Sequence, residues 1–123
     1  MAHESVCEFA RDREEGQERL LEVANLPMRR FLALDGDVYA DGTLSRVEKE
    51  RLGLVASVVL RCDDCIRYHL KQIWELGGTR EDVVEVLGVA LVAGGSVVIP
   101  HLRRAVSFLL ELEKGSPPRA TRP

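Results

Sequence analysis

Residues 45–69 read SRVEKERLGLVASVVLRCDDCIRYH, and this stretch decides the fold. Ser45 followed three residues later by Glu48 has the pattern of a capping box at the start of a helix. From Leu52 to Leu60 the chain is almost entirely apolar, and its valines would also fit a buried strand. Because the capping pattern and the length favour a helix, we expect one over Arg46–Leu60 that is buried on most sides.

Further helices are predicted on both sides of this one from apolar spacing, caps and glycine or proline signals. On the N-terminal side we expect a charged, mostly solvated helix over Glu4–Val23, interrupted or weakened at Gly16, and a short helix over Met28–Leu34 that stops at Asp35-Gly36. On the C-terminal side the predicted helices run from Cys62 to Leu76, from Thr79 to Gly94, and from about Ser96–Pro100 to Glu113.

These elements predict an all-α, single-domain bundle of about five or six helices. Residues 1–43 form the N-terminal helical segment and turns of the same domain, residues 44–114 form the helical core, and residues 115–123 form a disordered tail. The apolar segments Leu52–Leu60 and Val83–Val98 exceed what a small bundle buries internally, so we expect a homo-oligomer.

Composition excludes several classes of protein. The chain has 123 residues, 17 Lys and Arg, 20 Asp and Glu, and a net charge of -3, which gives no basic surface for nucleic acid. The longest uncharged run, Val86–Pro100, is too short to cross a bilayer, and the first residues carry acids rather than an apolar signal segment. We therefore expect a cytoplasmic protein that binds neither membrane nor nucleic acid.

The candidate chemistry lies in two of the three cysteines. Cys62, Cys65 and His69 are spaced by three and four residues, so they share one face of a helix. The helix start favours a thiolate, and Arg61 and Arg67 add positive charge nearby. Asp63 and Asp64 oppose it by like-charge repulsion. His69 is placed to pass a proton to or from a thiol.

Two other interpretations of this pattern remain open. The three side chains could simply pack on a helix face. Alternatively, Cys62, Cys65, His69 and His101 could bind zinc, although this spacing lies on one helix and differs from the paired knuckles of structural zinc sites. A thioredoxin-like site is disfavoured because the residues before Cys62 are predicted to be helical rather than a strand. We expect no metal and no cofactor.

Glu50 is the candidate carboxylate. Glu48 has a structural role available as the partner of Ser45 in the cap, whereas Glu50 has none from the local sequence. Glu50 shares a stripe with Leu54 and Ser57, so it is expected to be partly buried, where a carboxylate is suited to proton transfer. The alternative is an ordinary acid in the first turn of a helix.

Three runs together resemble the carboxymuconolactone decarboxylase / alkylhydroperoxidase D-like superfamily. They are EKERL at 48–52, CDDCIRYH at 62–69 and GGTREDVVEVL at 77–87, and the match covers roughly Leu44 to His101. The family pattern has a Glu twelve residues before the first Cys of a Cys-x-x-Cys and a His four residues after the second.

Glu50, Cys62, Cys65 and His69 fall on those family positions. The resemblance implies an all-helical fold, trimers or hexamers, and a thiol–disulfide redox enzyme that acts on a peroxide or disulfide. It also implies that Cys65 is the activated thiol, that Cys62 is its disulfide partner, and that Glu50 and His69 relay a proton. The implied reductant is a lipoyl or other dithiol.

The chain departs from the alkylhydroperoxidase D branch in two respects. That branch has a His immediately before the second Cys, where this chain has Asp64, and it has an extra N-terminal helical unit. The length matches the decarboxylase branch, which acts on a lactone from aromatic catabolism and generally does not depend on a Cys pair. The intact Cys62/Cys65 pair argues against that branch, which remains the alternative together with a non-enzymatic oligomeric protein.

The remaining candidates are expected to be structural. His101 could line the same pocket but is more typical of a surface or packing residue, and Cys7 is expected to be inert. Tyr68 and Trp74 are expected to pack or to form an interface. The charged run from Arg11 to Arg19 is expected to be a solvated face.

Overall fold

The computed structural model describes residues 5–115, and these residues form a bundle of α-helices with no strand. The all-α prediction is confirmed. The helices are α1 (Val6–Val23), α2 (Leu26–Tyr39), α3 (Arg46–Val59), α4 (Asp63–Glu75), α5 (Arg80–Gly94) and α6 (Ile99–Gly115), with a 3₁₀ turn over Ser96–Val98.

Side-chain caps start most of these helices. The predicted capping box at α3 is confirmed: the Ser45 hydroxyl accepts from the Glu48 N–H at 3.2 Å, and the Ser45 N–H donates to the Glu48 carboxylate at 2.9 Å. The Thr79 hydroxyl caps α5, and the Cys62 sulfur caps α4. The side chain of Asn25 caps α2, which has proline in its first turn. These local signals explain why the sequence predicted α3, α4 and α5 well.

The core is built around α3 and α4. Helix α3 packs against α4 and α5, α4 packs against α6, and α1 and α2 make lighter contacts with α6 and α3. An ion pair between Arg51 and Asp82 at 2.8 Å joins α3 to α5. The largest fully buried apolar side chains are Phe9, Leu54, Val58, Ile66, Leu70, Ile73, Trp74, Val83, Val98 and Leu109.

The N-terminal third of the chain differs from expectation. Helix α1 runs uninterrupted through Gly16, and α2 continues through Asp35 and Gly36 to Tyr39, so the predicted stop was wrong. An exposed glycine costs a helix only about 1 kcal/mol relative to alanine, which flanking helix formers and caps offset. The predicted tail begins at Gly115, which is the last residue of α6, and residues 116–123 lie outside the described part of the chain.

Several apolar side chains are largely exposed in the single chain. Leu52 and Leu60 are 58% and 76% exposed, so the expectation that this segment is buried on most sides is wrong for the single chain. None of the residues of α2 is buried, although it carries an apolar row. That row consists of Leu26, Met28, Phe31, Leu34 and Val38. No helix within residues 5–115 is long and apolar enough to span a bilayer.

Candidate redox-active site

A buried carboxylate–histidine pair joins α3 to α4. The Nδ1 atom of His69 lies 2.7 Å from the Oε1 atom of Glu50, and the two residues are 8% and 1% exposed. Because an ionised carboxylate only accepts hydrogen bonds, it holds the hydrogen on Nδ1 and leaves Nε2 to accept a proton. Glu50 is thus more deeply buried than the sequence suggested, and it orients the imidazole.

The second oxygen of Glu50 is not committed to a hydrogen bond. Among residues 5–115 no donor reaches Oε2, and the nearest cation is the Nε atom of Arg46 at 3.9 Å, one turn earlier on α3. A carboxylate that holds a histidine through one oxygen keeps the other as a free acceptor, which could take up a proton.

Two tyrosine rings enclose the imidazole. Tyr39 of α2 stacks on His69 with ring centroids 5.7 Å apart, and Tyr68 meets it edge to face at 5.4 Å. Burial, and then the charge of Glu50, raise the pKa of both phenols above the usual value of 10.0. Sequence reasoning missed Tyr39, because no local pattern connects a residue of α2 to α4.

Gly53 provides the space in which these rings meet. A Cβ atom at this position would lie 2.6 Å from both the Cε1 atom of His69 and the hydroxyl of Tyr39. Such distances are shorter than any ordinary van der Waals contact. Only glycine therefore lets α3 approach the imidazole and the phenol this closely.

The two cysteines lie at the start of α4 as free thiols. Cys62 is the N-cap residue, and its sulfur accepts a hydrogen bond from the Cys65 N–H at 3.3 Å. Cys62 is half-buried and Cys65 is exposed. His69 follows Cys65 by one turn, so its imidazole lies on the same face of the helix.

The protein holds the Cys65 thiol in its protonated form. A hydrogen bond between the Cys65 thiol and the Cys62 side chain is the largest cause, followed by burial and by the negative charges of Cys62 and Asp64, and together they raise the pKa of Cys65 to about 11. Arg13 acts in the opposite direction. The sequence left open whether the helix start, which favours a thiolate, or the aspartates, which oppose it, determine the pKa of this thiol. The raised pKa of Cys65 shows that the protonated thiol is favoured.

Arg13 is part of this site, contrary to the expectation that its segment is only a solvated face. Its guanidinium lies 3.9 Å from the centroid of the Tyr68 ring, and its Nη1 atom lies 3.2 Å from the Asp64 carboxylate. Arg67, which was expected to support a thiolate, instead places its guanidinium over the Phe9 ring at 5.2 Å. A contact between α1 and α4 is a tertiary feature that no local signal in α1 announces.

His101 belongs to a second cluster, which is built on Asp63, the residue that follows Cys62. Its Nδ1 atom lies 2.8 Å from Asp63, and the other oxygen of Asp63 accepts from Arg104 at 2.9 Å. Within residues 5–115 no three His, Cys, Asp or Glu side chains are grouped as a metal site would require. The zinc interpretation of Cys62, Cys65, His69 and His101 therefore has no support from the geometry.

The structural expectations for two further residues are consistent with their positions. Trp74 is 2% exposed within the core, and Tyr68 packs against that core from its edge. Cys7 is exposed on α1.

This chain belongs to the carboxymuconolactone decarboxylase family, whose sequence profile matches residues 26–107. Two uncharacterised bacterial proteins are similar to it. One, from the cox locus of Paracoccus denitrificans, is 31% identical over 68% of this chain and 75% of its own length. The other, from Cupriavidus necator, is 31% identical over 55% of this chain and 60% of its own length.

Solved structures share the fold. A Thermotoga maritima protein is 52% identical in two crystal structures, with TM-scores of 0.85 and 0.82. The first covers 87% of this chain and 94% of its own, and the second covers 86% and 90%. The second is described as a carboxymuconolactone decarboxylase family protein for which a role in the antioxidative response is suggested. A family member from Legionella pneumophila has the same fold at 24% identity, with a TM-score of 0.78 over 87% of this chain and 96% of its own.

Proposed function

We propose that this protein is a thiol–disulfide redox enzyme, a peroxidase or disulfide reductase in which Cys62 and Cys65 cycle between dithiol and disulfide. The observation that carries the proposal is the buried hydrogen bond between Glu50 and His69, one helical turn from Cys65. A carboxylate that orients a histidine on the same helix face as a thiol supports general-base activation of that thiol as a nucleophile.

The state of the Cys65 thiol supports the need for such a base. With a pKa of about 11, the thiol is almost entirely protonated near neutral pH, and only the thiolate attacks peroxides or disulfides. His69 would accept the thiol proton as the sulfur attacks, and Glu50 would stabilise the imidazolium that forms.

The proposed catalytic cycle uses a peroxide as the oxidant and a dithiol as the reductant. A thiolate attacks the outer oxygen of the peroxide, the O–O bond breaks, and the alcohol or water leaves with the proton relayed by His69. The resulting sulfenic acid is attacked by the second thiol, which forms the Cys62–Cys65 disulfide and releases water. A lipoyl or other dithiol then reduces the disulfide by exchange and is itself oxidised to a disulfide. A disulfide substrate would take the place of the peroxide. A protein thiolate attacks one of its sulfurs, a mixed disulfide forms and one substrate thiol leaves, and the second cysteine then forms the Cys62–Cys65 disulfide and releases the other substrate thiol.

The comparison with Thermotoga maritima also favours redox chemistry. That protein is 52% identical over most of both chains, and a role in the antioxidative response is suggested for it. The cytoplasm, which remains the predicted location, is a reducing environment that keeps a cysteine pair in its dithiol form.

A decarboxylase-like enzyme acting on a small catabolic acid or lactone is the second candidate, because the family profile carries that activity in its name. In that reaction Glu50 and His69 would act as acid and base without the thiols. The two candidates differ in whether serine is tolerated at Cys62 and Cys65.

We also propose that the protein is a homo-oligomer, a trimer or hexamer. The support is the apolar surface that one chain leaves exposed on α2 and α5, where Val89 and Val92 are 60% and 88% exposed. Light scattering coupled to size-exclusion chromatography measures this directly, and a monomer at micromolar concentration would contradict it.

The function is tested by measuring peroxide- and disulfide-dependent oxidation of dihydrolipoamide by the wild type and by the Cys62→Ser, Cys65→Ser and Cys7→Ser variants. We expect turnover in the wild type and in Cys7→Ser, and none in the other two. Activity on a lactone substrate that survives both serine substitutions would instead support the decarboxylase. Thiols that react with no probe in the native protein would indicate a packing role.

A further inference from the structure

We infer that Arg13, brought to the site by α1, is a positioning residue whose guanidinium offsets the negative charge of Asp64 beside the Cys65 thiol. The inference deepens the proposed function, since it concerns how the same thiol is made available for attack. It rests on contacts of Arg13 in α1 with Asp64 and Tyr68 in α4, and Arg13 and Asp64 are 51 residues apart in the chain.

Two contacts restrict the side chain of Arg13. Its guanidinium is stacked over Tyr68 at 3.9 Å and paired with Asp64 at 3.2 Å, which narrows the set of rotamers that a long surface side chain samples. Tyr68 in turn packs edge to face on His69. The Tyr68 ring therefore contacts both the guanidinium of Arg13 and the imidazole of His69, the proposed base.

Phe9 anchors helix α1 close to Arg13. Phe9 lies one turn earlier on α1, is 2% exposed, and meets the Phe108 ring edge to face at 5.5 Å. Residues four apart share a helix face, so burying Phe9 in the core also directs Arg13 toward α4. The neighbouring Arg11 pairs only loosely with Asp12 at 3.9 Å and does not share these contacts.

The charges around the Cys65 thiol come from three helices. Cys62, Asp64 and His69 lie in its own segment, Arg13 comes from α1 and Tyr39 from α2. Asp64 raises the pKa of Cys65, and Arg13 lowers it. Arg13 is thus the cation that compensates an aspartate placed directly before the thiol.

The test measures the rate at which iodoacetamide alkylates Cys65 in the reduced, full-length protein at a fixed pH of about 8, well below the pKa of this thiol. Tandem mass spectrometry distinguishes labelled Cys65 from labelled Cys62. Because the reagent is uncharged and no turnover is measured, the result does not depend on whether the protein is a peroxidase. We expect Arg13→Gln to slow alkylation of Cys65 about threefold and Asp64→Asn to accelerate it by a similar factor.

The salt dependence separates a charge effect from a structural one. In Arg13→Gln the unopposed Asp64 repels the thiolate, so added salt should raise the rate. In Asp64→Asn the unopposed Arg13 attracts the thiolate, so added salt should lower the rate. The double variant should react like the wild type, and Arg13→Lys should recover most of the lost rate.

Arg11→Gln is the matched control, since it removes an exposed arginine from the same helix. It should leave the rate at Cys65 unchanged. An Arg13→Gln rate equal to that of Arg11→Gln would overturn the inference. If helix α1 unfolds in Arg13→Gln, the Asp64→Asn variant still tests the inference. An alkylation rate of Cys65 in Asp64→Asn that does not fall as salt is added would also overturn it.

Discussion

The Nδ1 atom of His69 lies 2.7 Å from the Oε1 atom of Glu50, in a contact that links α3 to α4 one helical turn after Cys65. The two residues are 19 positions apart in the chain, and both are buried. Burying a carboxylate is costly unless it is paired and hydrogen-bonded, so the pairing with His69 compensates the burial of Glu50 where α3 meets α4.

Glu50→Gln tests the function of this pair. Glutamine keeps the shape but removes the charge that would stabilise an imidazolium, so we expect turnover to fall by about a hundredfold or more. The assay is peroxide-dependent oxidation of dihydrolipoamide. Glu48→Gln is the control, since Glu48 belongs to the cap of the same helix and glutamine also fits a capping box. Wild-type turnover in Glu50→Gln would remove Glu50 from the mechanism.

Local signals explain which parts of this account the sequence could predict. The cap formed by Ser45 and Glu48 and the helix start at Cys62 depend on residues three apart, so the sequence alone predicts α3 and α4. The spacing of Cys65 and His69 on one helix face follows in the same way.

Contacts between distant helices could not be predicted. The Tyr39 ring reaches His69 from α2, a helix that was expected to stop before Tyr39. Arg13 reaches Asp64 from a charged segment whose pattern is typical of a solvated surface. Both contacts depend on how the helices pack, which is decided by burial of the core rather than by local propensity.

Titration of the tyrosines tests the electrostatics of the site. The chain has two tyrosines, Tyr39 and Tyr68, and both flank the imidazole. Because burial and the charge of Glu50 raise the pKa of both phenols, near-ultraviolet absorbance should report ionisation of both above pH 10.0. Glu50→Gln should move this transition to lower pH, whereas Glu48→Gln should not. A transition at the usual value in the wild type would contradict the described environment.

Gly53→Ala tests the close approach of α3 to the site. The added methyl group would lie 2.6 Å from His69 and Tyr39, and such overpacking costs about 1–3 kcal/mol, partly offset by the better helix propensity of alanine. We expect a small loss of stability and a much larger loss of turnover, measured by urea denaturation and by the dithiol assay.

Gly16→Ala is the corresponding control in α1, outside the surface proposed for the oligomer. A Cβ atom there would meet only the guanidinium of Arg19, at 3.9 Å, so the substitution should stabilise the protein by about 0.5–1 kcal/mol without affecting turnover. If Gly53→Ala is as active as Gly16→Ala, the imidazole and phenol do not need this geometry.

The pH dependence of Cys65 reactivity follows from its thiol pKa. Since only the thiolate reacts, alkylation should become about tenfold faster per pH unit and continue to rise toward pH 11 instead of levelling near 9.0. Removing the main cause in Cys62→Ala should shift the profile to lower pH. The measurement is a pH–rate profile with iodoacetamide in a Cys7→Ala background, and a profile that Cys62→Ala leaves unchanged would contradict the role given to the hydrogen bond.

Mass spectrometry of the protein after mild peroxide and then after dihydrolipoamide tests the proposed redox cycle of Cys62 and Cys65 most directly. We expect a disulfide between these two residues that forms with peroxide, is reversed by the dithiol, and forms more slowly in Glu50→Gln than in Glu48→Gln. A protein whose Cys62 and Cys65 remain as thiols under peroxide, or that accumulates only irreversible oxidation products, would contradict it.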